Sequence, residues 1–205
     1  EFTVPADISS AAFFLVAAAI VPEGQLTARE VGVNPSRIGI LDVFEQVGIS
    51  VGLGNENQHL GEPVADIEIR SDRDGLKPFT ISGELVPRLI DEIPVLAVLA
   101  TQCQGTSHIR DSAELRVKES DRIELIAAGL RRMGATVETH PDGLSITGPT
   151  ALKGTTVDCC GDHRIGMAFA VAGLIADGET VIEGAECIAT SFPTFQSELE
   201  RLAVV

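Results

Sequence analysis

Three stretches of this chain repeat one pattern, and any fold must satisfy all three at once. They are "EGQLTAREVGVNPSRIGILDVFEQVGISV", "QGTSHIRDSAELRVKESDRIELIAAGLRRMGATV" and "DGETVIEGAECIATSFPTFQSELERLAVV". Each opens on a glycine turn, at Gly24, Gly105 and Gly178. Each then runs through a short β-like stretch and a polar loop into an amphipathic helix. A second helix precedes each turn: "DISSAAFFLVAAAIV", "PRLIDEIPVLAVLAT" and "DHRIGMAFAVAGLIA". These three are apolar nearly all round, which predicts buried helices. The first two repeats continue into a hairpin-like tail. In the second, "GATVETHPDGLSITG" sets two alternating runs around Pro141-Asp142-Gly143, a strong turn signal. The third stops at "ERLAVV" with no tail. The predicted unit is β-α-β-α-β-β, present almost three times, over about 1–75, 76–150 and 151–205. The missing strands come from elsewhere, or an open sheet edge remains.

The totals narrow the function. With 205 residues, 44% apolar and 22% charged, the chain can bury a sizeable core. Its formal net charge of -15 disfavours nucleic acid, whose binders draw affinity from phosphate neutralisation. A local basic pocket stays compatible with that total. The longest apolar run, Ala11 to Val21, ends at Pro22 and is too short to span a bilayer. The start "EFTVPADISS" lacks the basic stretch of a secretory leader. Four cysteines without a CxxC pair predict a reduced, cytoplasmic protein without a metal site. No P-loop, GxGxxG or HExxH occurs.

Charged residues gather where helix physics disfavours them. "AELRVKESDRIELIAAGLRRMG" sets Arg116, Lys118, Glu119, Asp121 and Arg122 around a helix start. Cations there oppose the positive end of the helix dipole, at about 0.3–1 kcal/mol each. Ser120 is the expected N-cap, with Ile123, Ile126, Leu130 and Met133 on one face. Either the cations hold an anion between them, or the cluster is a salt-bridged helix start with Asp121 partnering an arginine. "CCGDHRIGMAF" repeats the arrangement, with Asp162 as cap and His163 and Arg164 in the first turn. In "VPRLIDEIPVLAVLA", Asp91 and Glu92 interrupt an apolar segment and need a partner or a raised pKa, unless they cap the helix before Pro94. Ser9 and Ser10, after Asp7, read chiefly as a cap. Asp7, Asp91 and Asp162 sit near the starts of the three buried helices. Related units about a pseudo-threefold axis would bring those N-termini to one surface, suited to anions. His108, His140, Met133 and Met167 read as structural.

The series "VPADISSAAF", "PRLIDEIPVLA", "ELRVKESDRI", "GDHRIGMAFAVAGL" and "TSFPTF" resembles the 5-enolpyruvylshikimate-3-phosphate synthases, in the family's order and over essentially the whole chain. The family's intact enzyme has two similar domains, and this chain resembles its C-terminal half. The resemblance implies an α/β fold: one lobe of an inside-out α/β barrel of three βαβαββ units, helices inside and sheets outside. In the family, an N-terminal segment lends strands to this lobe, which would complete the short third repeat. The implied reaction transfers the enolpyruvyl group of phosphoenolpyruvate to the 5-hydroxyl of shikimate 3-phosphate, with no metal or organic cofactor. Asp91 would bind the shikimate ring and take the hydroxyl proton. Glu119 would handle protons at the methylene carbon, with Lys118 sharing that work. Arg122 and Arg164 would clamp phosphoenolpyruvate, supported by Asp162 and His163.

Three positions depart from the family pattern. Ala6 replaces a common Gly, Glu114 stands where some members have Asn, and Thr190 stands where some carry a phosphoenolpyruvate-binding Lys. The other lobe holds much of the shikimate phosphate site, so the chain alone is expected to turn over negligibly without its N-terminal half. Two rivals share some features: half of a UDP-N-acetylglucosamine enolpyruvyl transferase, against which "RVKESDR" argues, and a non-catalytic anion-binding domain.

Overall fold

A computed structural model describes residues 3–71 and 75–203. The outer limits of the expected first and third repeats, at 1 and 205, lie outside the described residues. The first unit starts at α1 (Ile8–Ile20), which Asp7 caps by accepting from the Ser10 amide at 2.9 Å. It continues through β1 (Gln25–Gly32), α2 (Gly39–Val47), β2 (Val51–His59) and β3 (Glu62–Arg70). Gly48 closes α2 in the left-handed region at φ 89°, where a side chain would be strained. The second unit holds β4 (Thr80–Ile81), α3 (Ile93–Ala100), β5 (Gly105–Ile109), α4 (Arg122–Arg132), β6 (Thr136–His140) and β7 (Gly143–Gly148). The third holds β8 (Thr156–Asp158), α5 (His163–Gly173), β9 (Val181–Glu183) and α6 (Phe195–Ala203).

The sheets repeat one plan. In each unit the first extended segment pairs parallel with the next: Ala6 bridges Val31, β4 pairs β5, and β8 pairs β9. The first two units then add an antiparallel hairpin, giving the orders β1-β3-β2 and β4-β5-β7-β6. The β6–β7 hairpin turns between His140 and Gly143, as the Pro-Asp-Gly signal predicts. The third sheet has two strands among the described residues. That matches the short third repeat.

The three apolar helices pack together inside the sheets. All eight residues of α3 are buried. Leu15 and Val16 of α1, Leu96 and Leu99 of α3, and Ile165 and Phe169 of α5 join one core. The fold is thus α/β with helices inside, as expected. α6 is pinned from outside by Phe192 and Phe195, whose rings lie 5.5–6.0 Å from Phe13 and Phe14. No helix among the described residues is long and apolar enough to cross a membrane.

Candidate functional site

The buried helices begin on the same side of the lobe. Ser9 of α1 reaches Glu92, just before α3, and Arg164 of α5 reaches Asp91. Three helix N-termini therefore converge, as the repetition predicts.

Arg122 is the centre of this surface. Its side chain is 1% exposed, yet it sits in the first turn of α4, where the backbone repels it. Carboxylates compensate. Nε donates to Asp162 Oδ2 at 2.8 Å, Nη1 to Asp91 Oδ1 at 3.2 Å and Nη2 to Glu119 Oε2 at 2.5 Å. Asp162 is fully buried. It caps α5 by accepting from the Arg164 amide at 3.0 Å, and also accepts from Ser120 Oγ at 2.9 Å. Burial pushes the Asp162 carboxyl up, but Arg122, Ser120 and the Arg164 amide reverse this and hold it below the ordinary range. Arg164 completes the group, with Nη2 3.6 Å from Asp91 Oδ2 and Nη1 donating to the Asp91 carbonyl at 3.3 Å. His163 lies beside them, half-buried, its pKa lowered by burial and then by Arg164.

Not every expected residue joins. Lys118 Nζ pairs with Glu114 Oε1 at 2.7 Å. Arg116 turns away: it donates to the His140 and Pro141 carbonyls and pairs with Asp121 at 2.9 Å. The salt-bridge reading holds for Arg116, with Asp121 as its partner, and Lys118 and Arg122 are paired with carboxylates as well. Ser120 is not the N-cap of α4. Asp121 is, accepting from the Glu124 amide at 3.1 Å, because Asp162 draws the Ser120 hydroxyl away. Asp91 and Glu92 do not cap α3, which lacks a side-chain cap and has a proline in its first turn. Ser9 is not a cap either; its hydroxyl serves Glu92. Thr190 is exposed and donates to the Cys187 carbonyl at 2.7 Å. Among the described residues, no group of three His, Cys, Asp or Glu could hold a metal ion.

Arg122 and Arg164 face the carboxylates of Asp91, Glu119 and Asp162, so an anion enters this group by displacing a carboxylate. Two guanidiniums stand beside two partly exposed carboxylates, so anion binding and proton transfer can occur within one group of contacts. The fold has counterparts among solved structures. It superposes with a TM-score of 0.79 on the enolpyruvyl transferase NikO from Streptomyces tendae, at 18% identity, over 98% of this chain and 43% of that one. The EPSP synthase of Acinetobacter baumannii superposes with a TM-score of 0.94, at 40% identity, over 98% of this chain and 46% of that one.

The sequence matches the EPSP synthase (3-phosphoshikimate 1-carboxyvinyltransferase) family over residues 1–199, and the chain belongs to it. The 3-phosphoshikimate 1-carboxyvinyltransferase of Geobacter sp. (strain M21) is 54% identical over 200 residues, 98% of this chain and 46% of that protein. That of Synechococcus elongatus is 55% identical over 199 residues, 97% of this chain and 44% of that protein. The chain spans about half the length of these relatives.

Proposed function

We propose that this chain is the C-terminal half of a cytoplasmic enzyme that moves the enolpyruvyl group of phosphoenolpyruvate to the 5-hydroxyl of shikimate 3-phosphate. The observation that carries this is the group of Asp91, Glu119, Asp162 and Arg164 about one buried guanidinium, in a chain of this family. Arg122 and Arg164 hold the phosphoenolpyruvate anion, which displaces a carboxylate from Arg122. Asp162, Ser120 and His163 keep that pair in place. Asp91 takes the proton of the 5-hydroxyl as its oxygen bonds to the carboxylate-bearing carbon. Glu119, with Lys118 near it in sequence, delivers a proton to the methylene carbon. In the second half of the reaction the bond from that carbon to the phosphate oxygen breaks, phosphate leaves with the proton held by Asp91, and the new methyl carbon returns its proton to Glu119. The arginines stabilise charge that develops between these steps.

The partner is the N-terminal half of the same enzyme. Two observations support such a partner: the third sheet has two strands among the described residues, and an apolar groove of about 500 Å³ opens between Phe14, Ala18, Val21, Leu174, Leu199 and Leu202. Phosphate release from phosphoenolpyruvate and shikimate 3-phosphate by the two-lobe enzyme tests the proposal. Glu119→Ala is expected to cut turnover at least about 100-fold, the usual contribution of a general acid or base. Turnover retained in Glu119→Ala would remove Glu119 from the chemistry.

A further inference from the structure

Glu92 has no task in the chemistry above, yet it is 2% exposed and carries a carboxylate into the core beside Asp91. Helix capping does not account for a carboxylate there. α3 starts without a side-chain cap, and an apolar residue of similar volume is often at least as stabilising as a buried ion. Burial pushes the Glu92 carboxyl above its ordinary range; Ser9, Arg164 and Arg37 oppose the rise and Asp91 adds to it.

Its partners form a relay across three elements. Ser9, itself 1% exposed, donates its hydroxyl to Glu92 Oε1. Ser9 Oγ in turn accepts from Arg37 Nη2 at 3.0 Å. Arg37 lies 3.8 Å from Asp7, the cap of α1. A hydroxyl therefore bridges a guanidinium and a carboxylate, joining the start of α1, the loop before α2 and the approach to α3. The Asp91–Glu92 peptide links this relay to the site. Its carbonyl accepts from Arg164, while the Asp91 carboxylate meets Arg122 and Arg164.

We propose that Glu92 is a positioning residue for the enolpyruvyl transfer. Bridged by Ser9 to Arg37, it fixes where Asp91 presents its carboxylate to the substrate hydroxyl and to the two arginines. This rests on the function proposed above, and small misplacements of a reacting group are costly to rate.

The test uses the two-lobe enzyme with Glu92→Leu, Glu92→Gln, Arg37→Met and Arg37→Lys. Steady-state kinetics are paired with carboxyl-carbon NMR of Asp91 in the unliganded enzyme, assigned by Asp91→Asn. Glu92→Leu is expected to lower kcat about 10- to 100-fold, with both KM values within about threefold. Glu92→Gln, which keeps an acceptor for Ser9, recovers most of that loss. Arg37→Met alters a half-exposed side chain, so it keeps the fold even if Glu92→Leu does not. It lowers kcat about 3- to 10-fold, and Arg37→Lys restores part. The Asp91 resonance moves in Arg37→Met and in folded Glu92→Leu. Folded variants with wild-type kcat and an unmoved Asp91 resonance would overturn the proposal. If the unmodified two-lobe enzyme shows no turnover, the proposed function fails, and the Asp91 resonance alone decides whether the relay positions that residue.

Discussion

Asp162 does two jobs with one carboxylate, capping α5 and neutralising Arg122. Both partners are buried, so removing one leaves a charge without solvent. Asp162→Ala should therefore destabilise the chain by about 3–5 kcal/mol in urea unfolding; a loss under about 1 kcal/mol would mean that Asp91 and Glu119 suffice to neutralise Arg122. Acid should act the same way. The folded pKa of Asp162 lies below its ordinary 3.8, so its stabilisation is present above that value and is lost as pH falls through the lowered one. Glu92 behaves oppositely. Its folded pKa lies above the ordinary 4.5, so stability declines as pH rises from 4.5 through the raised value. Urea midpoints across that window should fall in the unmodified chain, and Glu92→Gln should remove that part of the slope. At this scale the sequence exposes Asp91, Arg122 and Arg164, because each breaks a local rule of burial or helix charge; Asp162 reads there as a cap, and Glu119 stands out only through the family resemblance. It hides the partners of Ser9, Ser120 and Arg116, since Glu92, Asp162 and the His140 carbonyl lie 83, 42 and 24 positions away in the chain.

Helices α4 and α5 meet where Gly129 faces Phe169. A Cβ at Gly129 would lie 2.0 Å from Phe169 Cζ, and that ring is buried and cannot swing clear. Gly129→Ala improves helix propensity yet should destabilise by about 1–3 kcal/mol through overpacking, measured as a lower urea midpoint. A neutral or stabilising result would show that the two helices can slide apart. Phe195 holds α6 against α1 with 1% exposure. Phe195→Ala should cost about 3–5 kcal/mol. If α6 instead detaches as a separate unit, amide exchange in Phe195→Ala should rise in α6 alone. Most elements are legible from periodicity: the all-apolar runs give α1, α3 and α5, and Pro-Asp-Gly gives the β6–β7 turn. The Ser120 cap is misplaced by one residue for a tertiary reason, the pull of Asp162, which no local pattern contains.

Repetition shapes the whole molecule. Three units with one plan bring equivalent helix starts to one side, which is how an acidic chain of net charge -15 gathers arginines at a single surface. The same repetition sets the third unit apart, since its sheet has two strands among the described residues where the first two units add a hairpin. The chain has about half the length of its relatives, and on the proposed function it offers one wall of a site whose reactants need two. Mixing this chain with a separately produced N-terminal half of the enzyme, and following phosphate release from phosphoenolpyruvate and shikimate 3-phosphate, reads this out. Neither half alone should release phosphate, and the mixture should do so in proportion to the complex formed. Full turnover by this chain alone, or a stable complex of the halves that leaves both substrates untouched, would contradict a shared enolpyruvyl-transfer site.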